Sequence, residues 1–354
     1  MDLGVAGSSP VSHPSYCGWL RPCPPQPLPG NLPVAPDVPA SAPQPDGADA
    51  VHVSSAAPSL PLNPPEGEGC PPPLEWQQVV QEFVQQGDAW YLDRPGYRLQ
   101  GRTWGTGQPL YFLNGINGTH ELFALLVYLL RNEYRCVLFD YPGTRGGSAE
   151  SRGLTLDQLD DDLFAVADQI GDQQFDLFAT SFGTLVSLGA MLRRPERIRR
   201  AILQGGFASR QLSLSERALI RVWSHLPGRF KHVPLRRLVQ QANHRRWFPP
   251  FDSTRWEFLM ENSGFTPAAS VAHRAAVIRD TSLVERLQEI QTPIMLIRCE
   301  GEGIVPEECH AVMAERLPQA TSEHMHTTGH LPYLTHPHRI AKLIRAFLGS
   351  SPVH

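Results

Sequence analysis

Phe175-Asp-Leu-Phe-Ala-Thr-Ser-Phe-Gly183 is the stretch from which the rest of the chain can be read. Its first six residues form a short, mostly apolar, strand-like run, and a helical pattern covers 182–193. Ser181 stands at the junction. Small residues two before and two after such a serine permit a sharp strand-to-helix turn that lifts the hydroxyl clear of the backbone. Here they are Ala179 and Gly183, alanine adding a methyl group where such turns usually carry glycine. Ser181 is therefore a candidate nucleophile. The competing reading is that its side chain only N-caps the helix that follows.

Outward from this turn the same alternation recurs. Apolar runs at 109–114, 136–140, 200–204 and 293–298 are short and nearly continuous, as in parallel strands buried on both faces. Helical patterns at 119–132, 156–170, 306–317 and 338–348 fall between or after them. Strand–helix alternation implies βαβ units and a parallel sheet covered on both sides. The alternation breaks from 207 to 290, a helical stretch interrupted at Pro227-Gly228, Pro249-Pro250 and Gly264. An all-helical insertion between two strands reads as a cap over the strand ends, where open α/β sheets bind ligands. The expected division is a core of residues 74–206 and 291–350 with a cap of residues 207–290.

Composition narrows the function. The chain has 354 residues, a formal charge of −4 and 19% charged residues, which disfavours a nucleic-acid partner. No apolar run is long enough for a transmembrane helix. The six cysteines show no metal-ligand spacing, so neither a metal site nor a disulfide framework is expected. With no signal-peptide pattern at the N-terminus, a reducing, cytoplasmic setting is the expectation. Nineteen of the 34 prolines lie in residues 1–73, which carry seven charged residues and few large apolar ones. That segment is expected to be a disordered tail, with polyproline stretches that could serve as peptide ligands.

Residues 95 to 350 resemble an α/β-hydrolase. Leu113-Asn-Gly-Ile-Asn-Gly118 follows the first long strand, with Asn114 where the family usually has histidine. Asp140-Tyr-Pro-Gly-Thr-Arg-Gly-Gly-Ser148 is similar to the family's Asp-x-x-Gly-x-Gly-x-Ser loop, and Gly329-His330 stands near the C-terminus. The resemblance implies an α/β-hydrolase fold: a mostly parallel central sheet with helices on both faces and a helical cap. A serine at the turn excludes relatives that need aspartate there, such as haloalkane dehalogenases and epoxide hydrolases.

The resemblance also implies a triad in the order Ser, acid, His. His330 is the candidate base, between the last strand and the last helix. His324 and His326, on the preceding strand, read as structural, and His336 and His338 as the start of the last helix. Glu302, four residues before Pro306, matches the family's aspartate, with Glu300 as the alternative acid. The stretch after Gln204 carries no carboxylate. Backbone N–H groups of Phe182 and Ile116 would form the oxyanion hole. Such a serine hydrolase acts on a small-molecule ester or other acyl substrate and needs no metal or organic cofactor. A second resemblance, weaker and spanning about 109–335, is to maspardin, whose triad is incomplete. It implies a non-catalytic protein that binds protein partners.

The cap is basic in its first part. Ten Lys or Arg stand between Phe207 and Trp256, including Arg236 and Arg237, against Glu216 and Asp252. This asymmetry points to an anionic substrate, a carrier protein or a membrane surface. The alternative is a solvated face whose arginine stems cover aromatic residues.

Overall fold

The computed structural model describes residues 75–249 and 253–349. The Pro-rich segment of residues 1–73 lies outside the described residues. Eight strands form one sheet in the order β1-β2-β4-β3-β5-β6-β7-β8. They are β1 (Asp88–Arg94), β2 (Tyr97–Trp104), β3 (Gln108–Leu113), β4 (Tyr134–Phe139), β5 (Phe175–Thr180), β6 (Ile198–Gln204), β7 (Ile294–Cys299) and β8 (Ala320–Met325). The β1–β2 and β2–β4 pairings are antiparallel, and every other pairing is parallel. The expected mostly parallel sheet is present.

The helices of the core are α1 (Trp76–Gln86), α2 (Ala124–Leu130), α3 (Leu156–Ile170) and α4 (Phe182–Arg193). Four more, α5 (Leu214–Trp223), α6 (Arg236–His244), α7 (Ser253–Asn262) and α8 (Ala268–Asp280), fill the span between β6 and β7. The chain ends with α9 (Glu307–Arg316), α10 (Pro332–Thr335) and α11 (Pro337–Gly349). No helix among the described residues is long and apolar enough to cross a membrane.

Topology fixes where a site can form. From β3 the chain moves one way to β4, then returns to place β5 on the other side of β3. Right-handed crossovers then put α2 and α3 on opposite faces of the sheet. The C-terminal ends of β3 and β5 diverge at this switch point, where open α/β sheets bind ligands. All six residues of β5 are buried, so its register is fixed from both sides.

Three features differ from the sequence reading. The β1–β2 hairpin and α1 were not anticipated. The helix expected at 119–132 is a 3₁₀ turn (His120–Phe123) followed by the shorter α2. His326 lies just past β8 rather than on it.

Candidate active site

Ser181 sits between β5 and α4 with φ at +50°, a backbone conformation that costs a non-glycine residue of order 1–3 kcal/mol. It occupies the N-cap position of α4, yet its side chain makes no capping hydrogen bond. The hydroxyl is thus left for other work, which removes the reason for the N-cap reading. Gly183 explains how the turn fits. A Cβ there would lie 2.5 Å from the Leu113 carbonyl oxygen and 2.8 Å from that of Asn114. Only glycine lets α4 start this close to the end of β3. Ala179, two residues earlier, is accommodated fully buried.

The loop after β3 lies against the serine: a Cβ on Gly115 would stand 3.7 Å from Ser181 Cβ. Gly115, Ile116 and Ser181 share a cavity of about 80 Å³ with His330. Phe182 is the first residue of α4, and its N–H belongs to the first-turn amides that have no acceptor within their own helix. The two expected oxyanion donors therefore come from the elements that flank the switch point.

Glu302 and His330, 28 residues apart, meet directly. His330 Nδ1 and Glu302 Oε2 are 2.6 Å apart. The other carboxylate oxygen, Oε1, accepts the backbone N–H groups of Ile304 (3.1 Å) and Val305 (3.2 Å). Both oxygens are engaged, which orients the carboxylate toward the imidazole. Gly205, just past β6 with φ at +56°, makes room for the pair. A Cβ there would lie 3.0 Å from Glu302 Oε2 and 3.3 Å from the His330 ring. The missing side chain after Gln204 thus leaves space for a longer acid arriving from the loop after β7. Glu300 is placed differently: it accepts the Thr327 N–H and lies 3.5 Å from His326 Nδ1. Its carboxylate makes no contact with His330 among the described residues. His330 and Ser181 line one cavity without a hydrogen bond between them. Such bonds commonly tighten only when substrate is bound.

Residues that the sequence reading passed over hold this arrangement together. Arg274 of α8 is fully buried. It donates to the Ile116 carbonyl (2.8 Å), to the Tyr141 and Pro142 carbonyls (3.3 and 3.1 Å) and to Thr144 Oγ1 (2.6 Å). One side chain from the helical span therefore ties the loops after β3 and β4 together. Burial pulls its pKa down to about 10, so it remains charged near neutrality. The signal was an arginine between Val271, Ala275 and Ile278 on a face that otherwise packs inward.

Two further residues of the helical span touch the His330 region. The His244 ring stacks on that of His330, centroids 6.1 Å apart. Burial, with His330 adding to it, pushes the His244 pKa down to about 3, so the ring is neutral. The Trp247 indole lies against Gly301 and Gly329, on the loops that carry Glu302 and His330.

The Asp140 loop has a scaffolding role. Asp140 accepts the His120 backbone N–H (2.8 Å) and Arg145 Nε (2.5 Å). Burial raises its pKa, but His120 and Arg145 outweigh burial and hold the carboxyl below its ordinary value. His120, Glu121 and Asp140 are the one cluster of metal-ligating side chains among the described residues. Arg145 pairs with both carboxylates, so a cation already occupies their charge.

Comparison with known proteins agrees with this architecture. Residues 108–337 match the family described as alpha/beta hydrolase fold. The chain is 25% identical over 252 residues to the pyrrolizixenacetamide deacetylase of Xenorhabdus hominickii, covering 70% of this chain and 94% of that protein. It is 25% identical over 256 residues to the pimeloyl-[acyl-carrier protein] methyl ester esterase of Aeromonas salmonicida, covering 69% and 97%. The crystal structure of a hydrolase from Pseudomonas aeruginosa superposes with a TM-score of 0.66 at 20% identity, covering 74% of this chain and all but 1% of the other.

Proposed function

We propose, from the premise that this chain belongs to the α/β-hydrolase fold family, that it is a serine hydrolase of esters or closely related acyl substrates. Ser181 is the nucleophile, His330 the general base and Glu302 the acid that orients it. In this reading His330 Nε2 takes the Ser181 proton as the hydroxyl oxygen attacks the substrate carbonyl. The Phe182 and Ile116 N–H groups hold the developing oxyanion. The imidazolium then gives its proton to the leaving alcohol, whose bond to the acyl carbon breaks. Water, deprotonated by the same imidazole, attacks the acyl-enzyme and releases the acid and Ser181. No metal or organic cofactor is needed. Two named relatives support the hydrolytic class, since their names describe cleavage of an acetamide and of a methyl ester.

The observation that carries the proposal is the 2.6 Å contact between Glu302 and His330, whose ring lines the cavity of Ser181. A carboxylate on Nδ1 fixes the tautomer that leaves Nε2 free to accept a proton. We assign the helical span 207–290 the role of a cap, because it supplies half of the cavity wall, Trp223, Val239 and His244 among it. A cavity of about 80 Å³ favours short acyl chains over large ones, since drug-sized sites measure roughly 300–1,000 Å³. The free cysteines Cys136, Cys299 and Cys309 fit a reducing, cytoplasmic setting.

A fluorophosphonate probe tests the proposal. The folded wild-type chain is expected to be labelled, and Ser181→Ala to lose the label while keeping its thermal midpoint. No labelling of folded wild type is the outcome expected of a partner-binding, maspardin-like protein, and it would overturn the hydrolase reading.

A further inference from the structure

Helix α6 is turned inside out. Arg236, Val239, Gln240, Asn243 and His244 follow the i, i+3, i+4, i+7, i+8 spacing of one helical face. This face is buried or half-buried and lines the cavity of Ser181. Four of its five side chains are polar. Leu238, on the opposite face, is 61% exposed, as is Leu235 just before the helix at 69%. A helix that merely covered a core would bury its leucines and expose its arginines. Polar side chains lining a cavity beside the candidate nucleophile suit a polar occupant.

Arg236 supplies the charge. It is 7% exposed, and Nη2 donates to the Met260 carbonyl (2.9 Å) and to Ser263 Oγ (2.6 Å). Its Nε is buried and makes no hydrogen bond. No carboxylate forms an ion pair with it among the described residues. Other basic residues of the cap are neutralised: Arg237 by Glu257 at 2.6 Å and Arg210 by Glu216 at 2.8 Å. No Asp or Glu lines the cavity, so Arg236 is its one permanently charged side chain among the described residues. Burial, and the neighbouring Arg237, lower its pKa to about 10, which still leaves it cationic at neutral pH. Burying a charge without an ion pair is costly, and the Phe230 ring, 5.4 Å from the guanidinium carbon, offsets part of that cost without supplying a counter-charge.

We propose that Arg236 is a specificity-determining residue, forming with Gln240 and Asn243 a subsite for a carboxylate carried by the substrate. One guanidinium matches one negative charge, which favours a carboxylate monoanion over a phosphate dianion. This inference rests on the hydrolase reading for the site's purpose, but not for the binding itself. It gives the basic bias of the cap an inward-facing element that has no carboxylate partner among the described residues, while Arg217, Arg221, Lys231 and Arg246 stay on the exposed surface.

The test separates the two readings. Binding of glutarate and of its neutral counterpart glutaramide is measured by calorimetry on wild type, Arg236→Met and Arg236→Lys. Hydrolysis of mono-4-nitrophenyl glutarate and of 4-nitrophenyl butyrate is followed in parallel. Wild type is expected to bind glutarate more tightly than glutaramide. Arg236→Met is expected to lose roughly 10–100-fold more in glutarate affinity, and in kcat/KM for the charged ester, than it loses for the neutral ligands. Arg236→Lys, which keeps the charge, is expected to recover part of the loss. A purely structural tie between α6 and α7 would lower both ligands together and the thermal midpoint with them, and that result overturns the proposal. Equal binding of glutarate and glutaramide to wild type overturns it as well. Failure of the hydrolase reading shows separately, as absent fluorophosphonate labelling and absent hydrolysis of both esters while selective glutarate binding persists.

Discussion

Glutamine in place of Glu302 puts the proposed triad to its sharpest test. The change is isosteric, so the loop after β7 keeps its shape. In the wild type, Oε1 accepts two backbone N–H groups at 3.1 and 3.2 Å, while Oε2 faces His330 Nδ1 at 2.6 Å. A glutamine amide has one oxygen and one NH₂ group. Two amide donors at the Oε1 position demand the oxygen there, which forces the NH₂ group toward Nδ1. Nδ1 must then accept, so the ring proton moves to Nε2, the atom that has to take the serine proton. The base is present but in the wrong tautomer. A carboxylate-to-amide change at this position of a triad costs about 10⁴ in kcat, or about 5.5 kcal/mol of transition-state stabilisation. Stability should change by less than about 1 kcal/mol, because the two backbone donors remain satisfied. The assay is the initial rate on 4-nitrophenyl butyrate with a parallel thermal melt. Glu300→Gln is the control. Its carboxylate is half exposed and, among the described residues, reaches Thr327 and His326, so its rate should stay within about 2-fold of wild type. A Glu302→Gln enzyme within about 5-fold of wild type, or a Glu300→Gln enzyme equally impaired, would refute the assignment.

Two further predictions concern stability. Arg274→Met should destabilise the fold by about 3–5 kcal/mol in urea titrations, since it strands the Ile116, Tyr141 and Pro142 carbonyls and Thr144 Oγ1 in the interior; a loss under about 1 kcal/mol would show that the two loops hold themselves. Asp160 on α3 is buried with neither carboxylate oxygen hydrogen-bonded and Arg193 3.8 Å away. Burial pushes its pKa up to about 9, with Arg193 opposing only in part. The folded chain therefore keeps a proton that the unfolded chain releases above its ordinary value of 3.8. Its stability contribution is complete below that value and is lost progressively as pH rises toward 9, at up to about 1.4 kcal/mol per pH unit. Asp160→Asn removes this titration, so the variant's advantage over wild type should grow between pH 5 and pH 8, and parallel pH profiles would contradict it.

Some elements were legible because local chemistry and tertiary demand agree. β5, α3 and α4 begin and end where the sequence pattern places them. β5 is apolar except for Asp176 and Thr180, and α3 opens on Thr155, whose hydroxyl accepts the Gln158 N–H. The β1–β2 hairpin escaped because it lies at the sheet edge. β1 alternates exposed and half-buried residues, Asp-Ala-Trp-Tyr-Leu-Asp-Arg, and offers no apolar run. In the candidate site, the strand-to-helix turn at Ser181 was legible from the small residues around it, and Glu302 was proposed from its spacing to Pro306. What could not be read is what those side chains meet in space. Gly205 matters only because Glu302 and His330 pass over it, and Arg274 only because two loops converge on it. The polar inner face of α6 was present in the sequence as a spacing, but which face turns inward is decided by packing.

The proposed cap and the proposed catalytic loops are in direct contact. Trp247, just beyond α6, lies on both Gly301 and Gly329, and His244 stacks on the His330 ring. A lid on an independent hinge would leave the acid–base pair untouched when it opened. Here α6 cannot lift away without withdrawing the indole that backs the two loops and the neutral ring that flanks the imidazole. The neutrality of His244 matters to this coupling, because a second positive charge stacked on His330 would oppose the imidazolium that forms when Ser181 gives up its proton. The neutrality of His244 thus rests on its burial within the helical span. A carboxylate bound at Arg236, as proposed, would lie on the same nine-residue helix as His244, whose ring flanks the imidazole.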